Sequence, residues 1–201
     1  MATIEFITLE VPDTEAAERF YSSLGLSERV RLRPADAAAS GFRGFTLSLI
    51  ASQPADVDSL MQSAVDAGAT TLKPGEKSLW GYGGVVQAPD GTIVTFASSS
   101  KKDTAPASAR FDDFVLQLGV EDVAASKQFY ADRGFPVTKS YGRKYVEFDT
   151  GPVKLTLNSR RSLAKTAGVA SDGSGSHRLV IGTSAEAFTD PDGFQGEASH
   201  G

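Results

Sequence analysis

The sequence predicts an α+β fold of two tandem βαβββ modules, and three observations carry that expectation. Segments 4–26 (IEFITLEVPDTEAAERFYSSLGL) and 113–135 (DFVLQLGVEDVAASKQFYADRGF) share landmarks at a constant offset of 109: Asp13 and Asp122, Phe20-Tyr21 and Phe129-Tyr130, Gly25 and Gly134. A second landmark, Pro89-Asp90-Gly91 against Pro191-Asp192-Gly193, recurs at an offset of 102, so the second copy is seven residues shorter between landmarks. Thirdly, Ile7, Leu9 and Val11 alternate with Thr8 and Glu10, and Leu116, Leu118 and Val120 repeat the pattern. That period of two belongs to a strand with one buried face. Two landmark sets in one order divide the chain into a first module at 1–98, a linker at 99–110 and a second, abridged module at 111–201.

Each module opens on its alternating strand. Asp13 and Asp122 follow at helix N-cap places, where a carboxylate accepts from free N–H groups of the first turn, and Glu15 and Glu18 suit the positive end of the helix. Ala16, Ala17, Phe20 and Tyr21 recur at helical spacing, as do Ala125, Phe129 and Tyr130, so each helix lays an aromatic pair on a sheet. Gly25 and Gly134 end these helices. Module one continues with strands over 28–33, 42–51, 84–88 and 92–97 and a helix over 54–67 stopped by Gly68. Module two continues with strands over 136–140, 143–149, 152–158 and 177–182, with weak helical character over 160–168. The Pro-Asp-Gly triplets are turn chemistry. Residues 99–110, polar and small, read as a linker, and 170–176 (ASDGSGS) as a flexible loop.

Composition removes several function classes. With 201 residues, 40% hydrophobic and 22% charged, the chain can bury an ordinary globular core. It has no cysteine, which excludes disulfides, thiolate nucleophiles and Cys-ligated metals. Twenty basic residues are dispersed among 25 acidic ones with no basic stripe, so nucleic-acid binding is not expected. No apolar run nears the roughly 20 residues that span a bilayer. Residues 1–6 lack the basic start and apolar run of a signal peptide, and the expectation is a soluble cytoplasmic protein, monomer or homodimer. His177 and His200 are the only histidines, too few for a convincing Ser-His-Asp arrangement.

The first strand, capping Asp, Phe-Tyr helix, glycine exit and closing Pro-Asp-Gly turn, twice over, resemble the glyoxalase/bleomycin-resistance/dioxygenase (vicinal oxygen chelate) superfamily across about 3–98 and 111–197. The resemblance implies a curved mixed sheet around a cavity, with helices outside. It also implies, for the catalytic members, a divalent ion held by His, Gln or Glu on inner strand faces. Such ligands stand on each first strand, seven residues before the capping Asp, and on each last strand, four residues after the turn glycine. Here those places hold Phe6, Val115, Thr95 and Glu197, of which only Glu197 matches. The expectation is therefore no cofactor and a small-molecule binding or sequestering protein, of the kind that confers antibiotic resistance.

The candidate ligand-binding residues are Phe6, Arg43, Phe45, Trp80, Tyr82 and Tyr145. Phe6 replaces a metal ligand and by analogy points into the cavity. Trp80 and Tyr82 stand among Gly81, Gly83 and Gly84, which let a ligand approach the backbone. Arg43 and Phe45 begin a strand of the first module, and Tyr145 shares a face with Tyr141, Arg143 and Glu147. Such residues suit a planar or aromatic ligand, oriented by Arg or Tyr. The alternative is a metal-dependent lyase, isomerase or dioxygenase in which Asp113, His177 and Glu197 converge on a divalent metal ion. The plainer expectation makes His177 an exposed residue beside the Gly-Ser loop, Asp113 an edge carboxylate and Glu197 a solvated tail charge.

Overall fold

The computed structural model describes residues 1–199; His200 lies outside them. The landmarks form the elements that their chemistry demands. β1 (Ile4–Val11) buries Ile7, Leu9 and Val11, and α1 (Thr14–Ser23) starts at Asp13, whose carboxylate accepts from the Ala16 amide. β2 (Val30–Pro34), β3 (Ala39–Gly41), β4 (Phe45–Ile50), α2 (Pro54–Asp66), β5 (Thr70–Lys77), β6 (Tyr82–Gln87) and β7 (Ile93–Ser98) complete the first repeat. In the second, β8 (Asp113–Val120) leads to α3 (Val123–Asp132), where Asp122 accepts from the amides of Ala124 and Ala125. Then come β9 (Val137–Tyr141), β10 (Tyr145–Phe148), β11 (Lys154–Ser159), α4 (Arg160–Ala167), β12 (Gly173–Gly175), β13 (Leu179–Thr183), β14 (Phe188–Thr189) and β15 (Gln195–Ala198). Gly25 and Gly134 adopt φ of +73° and +84°, the left-handed turn that lets each chain leave its helix.

The sheets interleave the two repeats. An open eight-stranded sheet runs β5-β6-β7-β4-β8-β11-β10-β9, and a five-stranded sheet runs β14-β15-β13-β1-β2. The two complete βαβββ units are thus β4-α2-β5-β6-β7 and β8-α3-β9-β10-β11, whose first strands pair antiparallel at a central seam. What remains, β1-α1-β2 and the segment from β12 onward, supplies the second sheet, joined antiparallel where β1 meets β13. Each repeat therefore gives part of itself to both sheets, and the linker does not mark a boundary between them.

The main core lies on the outer face of the large sheet. Leu47, Leu49, Val86, Val94, Phe96, Leu116, Leu118, Leu155 and Leu157 are buried there with Val57, Leu60 and Ala64 of α2 and Tyr130 of α3. Two buried hydrogen bonds tie helix to turn: Tyr21 donates to Asp90 (3.1 Å) and Tyr130 to Asp190 (2.8 Å).

Three local expectations change. Helix α4 lies on the opposite side from α2: Leu163, Ala164 and Ala167 pack on Phe42, Val85 and Ile93, which alternate with the core residues Val86 and Val94. The placement of helices outside thus holds for α1, α2 and α3. The 99–110 segment is clamped to α2. Gln53 accepts from the amides of Thr104 and Ala105, and Asp56 accepts from that of Ser108. Residues 173–175 pair with β3 as a short ladder, and β5 is a strand with no sequence alternation to announce it. None of the described helices is long and apolar enough to cross a membrane.

Candidate functional site

Because Phe45, Leu47 and Leu49 of β4 and Phe114, Leu116 and Leu118 of β8 turn outward to the core, Thr46, Ser48, Ile50, Val115 and Gln117 face inward. Register then aligns Thr95 of β7, Ser48 of β4, Val115 of β8 and Lys154 of β11 in one row across the seam. In the neighbouring row Thr46, Gln117 and Thr156 stand side by side. Thr46 Oγ1 donates to Gln117 Oε1 at 2.9 Å, and Asn158 Nδ2 donates to Thr156 Oγ1 at 3.4 Å. Thr46, Ser48 and Thr156 are all buried, so hydroxyls and an amide form the floor of the inner face.

Two cavities open over this floor. One, of about 380 Å³, is lined by Val115, Gln117, Tyr145, Glu147, Lys154 and Thr156. The other, of about 360 Å³, is lined by Ser48, Lys73, Trp80, Tyr82, Val85 and Thr95. Both reach Ile50 and Gln117, so they are two lobes of one cleft straddling the seam.

The charges at the cleft are locally compensated. Lys154 Nζ sits 2.8 Å from Asp113, and this hydrogen bond raises the ammonium's pKa. Tyr145 donates to Glu147 Oε1 at 2.9 Å; burial, then the carboxylate, pushes the phenol well up, so it stays protonated at neutral pH. Tyr141 stacks beside it with ring centroids 6.3 Å apart. At the far lobe Tyr82 donates to Asp58 at 2.7 Å, and burial together with that carboxylate pushes its pKa up to about 12.

The six expected ligand-binding residues scatter over three places. Trp80 and Tyr82 line one lobe, Trp80 lying 84% exposed at its rim, and Tyr145 lines the other. Arg43 and Phe45 flank a separate cavity of about 340 Å³; Phe45 is a core residue, and burial lowers the pKa of Arg43, which donates to Thr92 Oγ1 at 2.8 Å. Phe6 is buried in the other sheet, its ring filling the space over Gly182 beneath the Arg31 guanidinium, 3.3 Å from the ring centroid. The residues that sequence reasoning missed, Thr46, Ser48, Gln117 and Thr156, left a signal: polar side chains alternating with apolar ones along β4, β8 and β11.

The alternative metal trio does not assemble. Asp113 pairs with Lys154 in the large sheet, while Glu197 lies on β15 of the small one. His177 is half-buried rather than exposed, its ring nitrogens 2.7 Å and 3.0 Å from the carbonyl oxygens of Arg43 and Asp192, stacked on Phe194. The four places that the family resemblance assigns to ligands fall two on each sheet. Thr95 and Val115 flank Ser48 across one seam, and Glu197 and Phe6 flank Gly182 across the other. Two hydroxyls and an isopropyl group at one seam, and one carboxylate at the other, do not fit a family-type divalent ion, which takes three or four side-chain donors. Among the described residues no group of three His, Asp or Glu side chains could hold a metal ion.

Paired βαβββ units joined at their first strands, with a cleft on the inner face, are a fold that the chain shares with solved glyoxalase and dioxygenase structures. No family model and no curated protein matches the sequence. Solved structures do match. Glyoxalase I from Zea mays aligns over 98% of this chain and 91% of its own, with a TM-score of 0.62 and 14% identity. A putative dioxygenase from Bacillus subtilis aligns over 89% of this chain and 69% of its own, with a TM-score of 0.54 and 11% identity.

Proposed function

We propose that this chain binds a small planar or aromatic molecule in the inner cleft of its eight-stranded sheet, without a resident metal ion, and acts by sequestering it. The observation that carries the reading is the row Thr95–Ser48–Val115–Lys154, which lines a cleft of glyoxalase type with hydroxyl, apolar and ammonium groups. Hydroxyls and amides orient a ligand by hydrogen bonds, and Trp80 and Tyr145 at opposite lobes offer aromatic faces for it.

Trp80, the sole tryptophan, reports on its own site. Titration with anilinonaphthalene sulfonate, a planar apolar fluorophore, is expected to quench Trp80 emission saturably and to raise the melting temperature by mass action. Trp80→Ala is expected to weaken binding about tenfold, the loss of roughly one stacking contact. Absence of saturable binding, or stoichiometric uptake of manganese, nickel or zinc by metal-stripped protein, would refute the reading.

A further inference from the structure

Helix α4 stands on the inner face, where a ligand would lie. Its C-terminal half forms the wall between two cavities: Thr166 lines the Trp80 lobe, while Val169 and Ala170, just past the helix, line the cavity beside Arg43. Beneath it Val85 belongs to the first of these spaces and Ile93 to the second, on adjacent antiparallel strands. The helix is eight residues long, below the length at which a helix holds itself in water, so its fold depends on this docking.

Its docking is polar at both ends: at the N-terminal end the Arg160 guanidinium donates to the carbonyl oxygens of Phe42 and of Ser171 (2.8 Å), a hinge side that stays fixed while the C-terminal end rests on Lys73. Only Leu163, Ala164 and Ala167 give it a buried apolar stripe. Lys73 Nζ donates to the carbonyl oxygens of Lys165 (3.2 Å) and Thr166 (2.8 Å), meeting the negative end of the helix dipole with an ammonium. The strand carrying Lys73 is irregular on both sides of it, with register shifts between Thr71 and Lys73 and between Lys73 and Glu76. Such irregularities re-aim a side chain out of the regular ladder. Gly168, at φ +77°, completes the fit, because a Cβ there would stand 2.8 Å from Lys73 Cε.

Resting on the cleft assignment above, we propose that α4 is a gate latched by Lys73. When the helix lifts, the two cavities join through the apolar floor of Phe42, Val85 and Ile93, and the cleft takes an elongated apolar or aromatic molecule that neither space admits alone. The latch consists of two exposed, charge-assisted hydrogen bonds, so its loss favours the lifted state by about tenfold.

The test is amide hydrogen exchange on the whole chain, with Lys73→Met, which keeps the aliphatic stem, and Lys73→Arg, which restores a donor. In K73M the amides of Ala164–Val169 are expected to exchange about tenfold faster while those of Leu116 and Leu118 in the core keep their protection; K73R returns toward the original rate. Anilinonaphthalene sulfonate is expected to bind K73M more tightly and, when bound, to deprotect the same helix amides. The gate is overturned if those amides exchange only together with the core, or if K73M speeds their exchange without changing dye affinity. Dye that binds the unaltered protein and leaves α4 protected sinks the gate and leaves the cleft assignment standing. An α4 that opens in K73M in a protein that binds no dye sinks both.

Discussion

Removing the hydroxyl of Tyr130 probes the bond that fastens α3 to the closing turn. Tyr130 is fully buried and donates to Asp190 Oδ2 at 2.8 Å, while Asp190 Oδ1 accepts from the amides of Asp192 and Phe194 at 2.9 Å. In Tyr130→Phe one oxygen of a buried carboxylate loses its donor, a change worth about 1.5–3 kcal/mol. For a chain of this size that corresponds to a fall of about 3–12 °C in melting temperature. Tyr21→Phe is the internal control. Tyr21 shares its proton between both oxygens of Asp90 at 3.1 Å and 3.3 Å, and Asp90 keeps the Thr92 hydroxyl at 2.7 Å. Its loss is expected to be about 1 kcal/mol.

The pH dependence carries a sign. Burial raises the folded-state pKa of Asp190, and the Tyr130 hydroxyl is the largest of the influences pulling it back down. A folded carboxyl raised above its unfolded value binds more protons than the unfolded chain, so stability falls as pH rises through the window between them. Deleting the hydroxyl widens that window upward. The deficit of Tyr130→Phe is therefore expected to be full at neutral pH and to shrink as pH falls through the folded pKa of Asp190. Urea melts at several pH values measure it. A deficit below about 0.5 kcal/mol, or one equal at pH 7 and pH 4, would refute the reasoning.

Two further expectations concern packing and the linker. Gly182→Ala drives a methyl into the Phe6 ring and should cost about 1–3 kcal/mol in chemical denaturation. Adding Phe6→Leu should recover part of that loss, and strict additivity of the two changes would show that the contact is not the cause. Gln53→Ala frees the amides of Thr104 and Ala105, and limited proteolysis should then cut within 99–110. Unchanged resistance there would mean that the segment is held by other contacts.

The strongest parts of the fold were legible where local chemistry decides structure. Alternation made β1 and β8 visible, and a side-chain cap marked each of α1 and α3. What escaped reading depends on distant partners. β5 is a mostly exposed edge strand of sequence TTLKPGEK, and it takes its conformation from β6 rather than from any pattern of its own. The side of the sheet on which α4 lies is set by Phe42, Val85 and Ile93, far away in the chain. The site divided in the same way. Trp80, Tyr82 and Tyr145, which line the candidate cleft, stood out by their aromatic character, and the places of Thr95 and Val115 by motif spacing. That Ser48 would stand between Thr95 and Val115 followed only from cross-strand register. Phe6 was expected in the same cavity as Trp80 by analogy, because it stands at a family ligand place, whereas the strands of the two repeats trade partners and leave it in the small sheet against Gly182.

That exchange of partners has a consequence for how the polypeptide is made. The unit from β4 to β11 is contiguous and can close as it leaves the ribosome, but β1 waits for β13, which emerges only after that whole unit. During that delay β1 has β2 on one side only, and its other edge stands open along Ile4, Phe6, Ile7, Leu9 and Val11, the composition that recruits stray strands from other chains. Glu5 and Glu10 punctuate it, and Glu10 later pairs with Arg33 at 2.8 Å. Negative charges on a strand whose edge lies open disfavour pairing with strands of other chains, so the same two residues that sit quietly in the folded sheet also guard it before β13 arrives.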